Sequence, residues 1–184
     1  MPIIDRRNPE SIRLGKHLRS VGDARWARDY LEAARLLVDH LGLGADDLRL
    51  NMSVPKSFTT WLLPVTINNR YVLAIQRDGA DRVVGAIWGT EFRHIPHPRQ
   101  RAVHIGRFDA LRGEDALDSP CFVRFRDPRI LIDDDEVREG WLAAARRELE
   151  RASASPYRRF HSHTVFRMVT ETEARERLLA EVWG

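Results

Sequence analysis

The chain is short of the residues that staple or anchor small proteins. It has one cysteine, Cys121, in 184 residues. A single thiol excludes an internal disulfide and a cysteine-rich zinc site. No run of about 18 apolar residues occurs, so no membrane span and no membrane partner are expected. The opening residues, Met1-Pro2-Ile3-Ile4-Asp5-Arg6-Arg7, lack the apolar stretch of a signal peptide. These absences predict a cytoplasmic protein. There is no Gly-x-Ser-x-Gly elbow for a nucleophile. Gly42-Leu43-Gly44 lacks the later glycine and the Lys-Ser/Thr pair of a phosphate loop. No internal repeat or low-complexity tract is present.

Lysine is nearly missing. It occurs at Lys16 and Lys56, so 28 of the 30 basic residues are arginine. Guanidinium forks grip phosphates and guanine edges in a bidentate way that ammonium cannot match. GC-rich coding also exchanges lysine for arginine, so the bias alone assigns no ligand. Net charge is only +3, which by itself says little about nucleic acid.

Acids are absent from Phe92 to Phe108, a window that holds Arg93, Arg99, Arg101 and Arg107 with His94, His97 and His104. They gather afterwards at Glu114, Asp115, Asp118 and Asp127, and then at Asp133, Asp134, Asp135 and Glu136. A basic connector and an acidic helix start are therefore expected on the surface.

With 43% hydrophobic and 31% charged residues, the chain reads as a globular protein that buries roughly 70% of its unfolded surface. Residues 1–22 show no clear period and read as an arm with one short helix. Residues 23–184 read as one compact α+β domain. Asp23 suits a helix N-cap, and Trp26, Tyr30, Leu31, Ala34, Leu37, Val38 and Leu41 recur at helical spacing. Gly42 suits the C-cap.

From Leu48 the period changes. Leu48, Leu50, Met52 and Val54 alternate with Arg49, Asn51 and Ser53, which predicts a half-buried strand. Pro64, inside the run from Phe58 to Ile67, predicts an edge strand or a bulge. Asn68-Asn69 predicts a turn. A return strand follows over Arg70 to Gln76, with Tyr71, Leu73 and Ile75 on one face. Arg82 to Trp88 is a further strand. Short strands are expected at Ala102–Phe108 and Cys121–Phe125, with a loop from Asp109 to Pro120. The expected fold is an antiparallel meander of about four to six strands, packed by an N-terminal helix and C-terminal helices. Asp133 with Glu136, and Thr170 with Glu173, look like capping boxes for two of those helices.

These residue types bear on four kinds of chemistry. His94-x-x-His97 and His161-x-His163 have ligand spacing for a metal, yet nothing in the sequence brings the pairs together. A Mg²⁺ nuclease would need carboxylates such as Glu91 and Asp109 with a lysine close behind the second acid, and neither lysine is so placed. His161 or His163 as a general base leaves a histidine- or metal-dependent hydrolase as one alternative. Cys121, between Pro120 and Phe122, reads as a small hydrophobe. The remaining chemistry is nucleic-acid binding. Arg93, Arg99, Arg101 and Arg107 would engage phosphates, with His97 among the planar rings, and Arg158 and Arg159 form a second basic cluster.

Two segments resemble something known. One is Leu50-Asn51-Met52-Ser53-Val54-Pro55-Lys56, followed by Ile67-Asn68-Asn69-Arg70-Tyr71-Val72-Leu73 and Val84-Gly85-Ala86-Ile87. The other is Ser155-Pro156-Tyr157-Arg158-Arg159-Phe160-His161-Ser162-His163, running into Thr172-Glu173-Ala174-Arg175-Glu176-Arg177-Leu178-Leu179. Both resemble accessory, DNA-facing regions of modification-dependent (McrB-type) restriction systems. The resemblance covers about a third of the chain and includes neither the motor nor the nuclease of such systems. It implies a free-standing recognition or docking part, with Arg70 and Tyr71 on a sheet near the ligand.

The sequence thus favours a non-enzymatic nucleic-acid-binding or docking module without a cofactor, with DNA preferred as partner. A protein-interaction subunit, or a homodimer pairing its acidic and basic patches, is the other alternative.

Overall fold

The computed structural model describes residues 9–21, 23–54, 61–67, 70–77, 83–89, 102–107, 121–125, 127–155 and 158–184. Residues 61–64, 70, 71, 76, 77, 83–89, 102–107 and 121–125 are described by their backbone pairing. The chain is a mixed α/β protein with an antiparallel sheet.

Helix α1 spans Pro9–Val21. Proline tolerates this first position because the N–H it lacks would have no helical partner there. Ser11, Leu14, Gly15 and Leu18 are buried along one stripe. The segment expected to be an arm with a short helix therefore carries 13 helical residues, and Leu14 and Leu18 belong to the core.

Helix α2 spans Ala24–Leu41 and follows its sequence signals closely. The Asp23 carboxylate accepts from the Trp26 amide at 3.0 Å. At the other end Gly42 takes the left-handed conformation, with φ 64°. Its amide and that of Leu43 then bond back to the Asp39 and Val38 carbonyls, closing the helix as a glycine C-cap does. Tyr30, Leu31, Ala34, Leu37, Val38 and Leu41 are all buried. Each buried leucine or valine among them contributes about 1.5–3 kcal/mol relative to exposure.

The strands are β1 (Leu50–Met52), β2 (Trp61–Ile67), β3 (Arg70–Arg77), β4 (Val83–Gly89), β5 (Ala102–Arg107) and β6 (Cys121–Phe125). Their order is β1-β2-β3-β4-β6-β5, and each pairing is antiparallel. Around Pro64 the β2–β3 register shifts between Leu62 and Val65 and again before Thr66. A proline cannot donate to the ladder, and here the chain answers with a bulge inside a strand paired on both sides.

The bulge corrects the single face expected for β3. Tyr71 is registered opposite Thr66 and Leu73 opposite Val65, which are consecutive residues. Val72, Leu73, Ala74 and Ile75 are all fully buried, so both faces of the sheet are covered there.

The alternation expected over Leu48–Val54 is also corrected. Leu48 is 59% exposed, while Asn51 is buried with Leu50 and Met52. A later segment meets this edge, where Ser155 donates its amide to the Leu48 carbonyl at 2.7 Å and Ser162 to the Met52 carbonyl at 2.9 Å. The edge strand is thus capped by a later segment, which blunts its open hydrogen-bonding side.

Helices α3 (Ile130–Asp133) and α4 (Asp135–Arg151) follow the sheet. The capping residue is Asp134, whose carboxylate accepts from the Val137 amide at 3.1 Å, rather than Asp133. The stripe Val137, Trp141, Ala144, Ala145 and Leu149 is buried as expected. Trp141 is fully buried and donates Nε1 to the Val72 carbonyl at 2.9 Å, joining α4 to the sheet.

Helices α5 (His163–Thr170) and α6 (Thr172–Trp183) end the chain. Thr170 does not cap α6; its hydroxyl donates back to the Phe166 carbonyl. Arg175 on α6 is almost fully buried and pairs with Glu32 of α2 at 2.9 Å. Among the described residues no helix is long and apolar enough to cross a membrane. The expected turn at Asn68-Asn69 and the expected loop from 109 to 120 lie outside the described residues.

Candidate nucleic-acid interface

The segment that caps β1 also carries the second basic cluster. A short 3-10 turn, Arg158–Phe160, sits between two anchored ends. Before it, the Ser155 carbonyl accepts from the Arg158 amide at 3.0 Å. After it, Nδ1 of His161 accepts from the Met52 amide at 3.0 Å. Ser162 then caps α5, its hydroxyl oxygen accepting from the Val165 amide while it donates to Glu10 of α1.

The Met52 bond also fixes the chemistry of His161. A backbone N–H donates to Nδ1, so the ring carries its proton on Nε2 and is neutral. Burial pulls its pKa down to about 4, and the nearby Arg158 and His163 push the same way, against the Ala45 backbone and Asp46. His163 stands edge-on to this ring, with centroids 5.3 Å apart, and its Nε2 meets Asp46 Oδ1 at 3.0 Å. Among the described residues no group of three or more His, Cys, Asp or Glu side chains is placed to hold a metal.

Two adjacent arginines differ sharply here. Arg158 is half-buried, and its Nη2 donates to the Ala45 carbonyl at 2.6 Å. Its Nη1 is buried without a partner. Arg159 is exposed, with its guanidinium carbon 4.7 Å from the centroid of the Phe160 ring. Phe160 itself is 52% exposed.

Among the described residues many other arginines are paired with carboxylates, while Arg19 and Arg146 donate to the Val182 and His40 carbonyls. Arg35 is held by Glu32 and Asp39, Arg49 by Asp47, Arg129 by Asp133 and Arg138 by Asp135. Arg28, Arg167 and Arg177 are held by Glu176, Glu171 and Glu173. Neither Arg158 nor Arg159 is held in a carboxylate ion pair among the described residues, although Arg158 lies near enough to Asp46 and Asp47 to help lower their pKa. Even the nearby acids are engaged, with Asp46 on His163 and Asp47 on Arg49. An arginine left unpaired beside an exposed ring keeps its charge and its donors for an outside anion.

Compared with known protein families, with curated proteins and with solved structures, the chain matches none.

The other residues singled out by sequence fall in three places. Arg93, His97, Arg99 and Arg101 lie outside the described residues, as do His94, Glu91 and Asp109. Arg70 and Tyr71 open β3, registered opposite Ile67 and Thr66. Arg107 ends β5, opposite Cys121. Two strands separate β3 from β5, a span of about 14 Å at ordinary strand spacing, so Arg107 does not adjoin Arg70 and Tyr71.

Sequence reasoning passed over Phe160 as a functional residue. An aromatic directly after an Arg-Arg pair was the available signal, but exposure cannot be read from one residue without helical or strand periodicity around it.

Proposed function

We propose that this chain is a non-enzymatic nucleic-acid-binding or docking module, with DNA as the favoured partner. The observation that carries this reading is the exposed Arg159, without a carboxylate partner among the described residues and stacked on the half-exposed Phe160. Guanidinium groups supply phosphate contacts, and exposed rings supply stacking surface. Arg158 braces the loop through its bond to the Ala45 carbonyl.

The acid-free window extends the same reading, with Arg93, Arg99, Arg101 and Arg107 as further phosphate contacts. The scaffold is an antiparallel meander of about four to six strands packed by the N-terminal and C-terminal helices. The resemblance to DNA-facing parts of modification-dependent restriction systems supports a place in a bacterial DNA-processing or defence complex. The protein would act there as a separate cytoplasmic recognition part.

The test is direct binding. Fluorescence anisotropy with a labelled oligonucleotide at low salt is expected to show saturable binding that weakens as salt rises. No binding of either DNA or RNA at low salt contradicts the proposal.

A further inference from the structure

We infer that the ligand is a single strand, and that Phe160 is the platform on which one of its bases stacks. The inference rests on the nucleic-acid reading above and names the substrate class of the same site.

A phenylalanine that served only the core would be covered, yet Phe160 keeps 52% of its surface open with the Arg159 guanidinium already in place. A guanidinium covers one face of a ring, so much of the remaining aromatic surface is free. The backbone that carries the ring is anchored by the Ser155 carbonyl before it and by the Met52–His161 bond just after it. An anchored turn has less backbone conformational entropy to lose when a base settles on the ring.

The choice between duplex and single strand follows from what each offers such a ring. In a duplex every internal base is stacked on both faces, and an aromatic side chain reaches one only by prising a step apart, at a few kcal/mol. A single strand presents unstacked bases directly. Arg159 then stands beside the base, where the strand's phosphates run. Of the neighbouring carboxylates, Asp47 is paired with Arg49, and Asp46 is hydrogen-bonded to His163.

The test compares twelve-nucleotide oligo-dT and oligo-rU with a twelve-base-pair DNA duplex, using the full chain and its F160A, F160L and F160W variants. Single strands are expected to bind more tightly than the duplex. F160A and F160L should each lower single-strand affinity about five- to hundredfold, while F160W, which keeps an aromatic face, holds it. Duplex affinity and the thermal midpoint should stay unchanged in all three. Duplex binding as tight as the single strand, or an F160L variant that binds like the parent, overturns the inference but leaves the nucleic-acid reading standing. Failure of the parent chain to bind any of the three probes overturns both. A preference for oligo-dT or for oligo-rU identifies DNA or RNA as the source of the strand, and either supports the inference.

Discussion

The Met52 amide donates to Nδ1 of His161 across 109 residues of sequence, at 3.0 Å. Together with the bond from the Ser162 amide to the Met52 carbonyl, it ties the C-terminal segment to the edge of the sheet. Both backbone groups of one strand residue are thereby satisfied by the segment that presents Arg159 and Phe160.

Replacing His161 tests that tie. H161F keeps bulk but removes the acceptor, leaving the Met52 amide without its partner at a cost of about 1–3 kcal/mol. The thermal midpoint should fall by roughly 3–10 °C for a chain this size. H161N places a side-chain oxygen near the position of Nδ1 and should lose less. Equal midpoints for all three proteins would show that the bond carries no stability.

Acid should weaken the fold before its carboxylates titrate. His17 is 1% exposed, and burial, helped by Arg13, pulls its pKa from 6.5 down to about 4. His161 is lowered to about 4 as well. In the unfolded chain both rings take up protons below about pH 6.5, while in the folded chain they stay neutral until near pH 4. The unfolded state therefore binds more protons in that window. The stabilisation is complete above about pH 6.5 and is lost as pH falls toward 4. His17 alone accounts for about 1–2 kcal/mol between pH 7 and pH 5. In urea titrations H17Q should flatten this dependence, and an unchanged slope with pH would contradict it.

Glu32 and Arg175 form a buried link between α2 and α6. The Arg35 hydrogen bond, with help from Arg175, holds the Glu32 carboxyl below its usual range despite burial. Removing Glu32 leaves the 6%-exposed Arg175 side chain short of a counter-charge, so E32A should cost about 2–3 kcal/mol. The double variant E32A/R175M should recover part of that loss. Additive losses in a double-mutant cycle would show that the pair is not coupled.

How far the sequence revealed this arrangement depended on distance along the chain. Helix α2 was legible throughout, because Asp23, the apolar stripe and Gly42 act within a few residues of one another. The start of α4 was displaced by one residue, since Asp133, Asp134 and Asp135 are equivalent as letters and only backbone geometry selects Asp134. Thr170 matched a capping pattern but spends its hydroxyl on the Phe166 carbonyl. Asn51 was expected on an open face and is buried. The contacts of Ser155, His161 and Ser162 with β1 come from a hundred positions away, and Arg158 in that segment reaches the Ala45 carbonyl. Local patterning therefore identified Arg158 and Arg159 as a cluster but not the difference between them.

That difference supplies the most direct test of the account. Binding of a labelled DNA duplex and of a single strand is measured across a salt series for the parent chain, R158A and R159A. The account predicts that R159A weakens binding and makes the log K against log salt slope shallower by about 0.9 on duplex or 0.7 on single strand. R158A should lower the thermal midpoint and leave the slope nearly as it was. An R159A protein with the parent's affinity and the parent's slope would contradict the claim that this exposed guanidinium holds a phosphate.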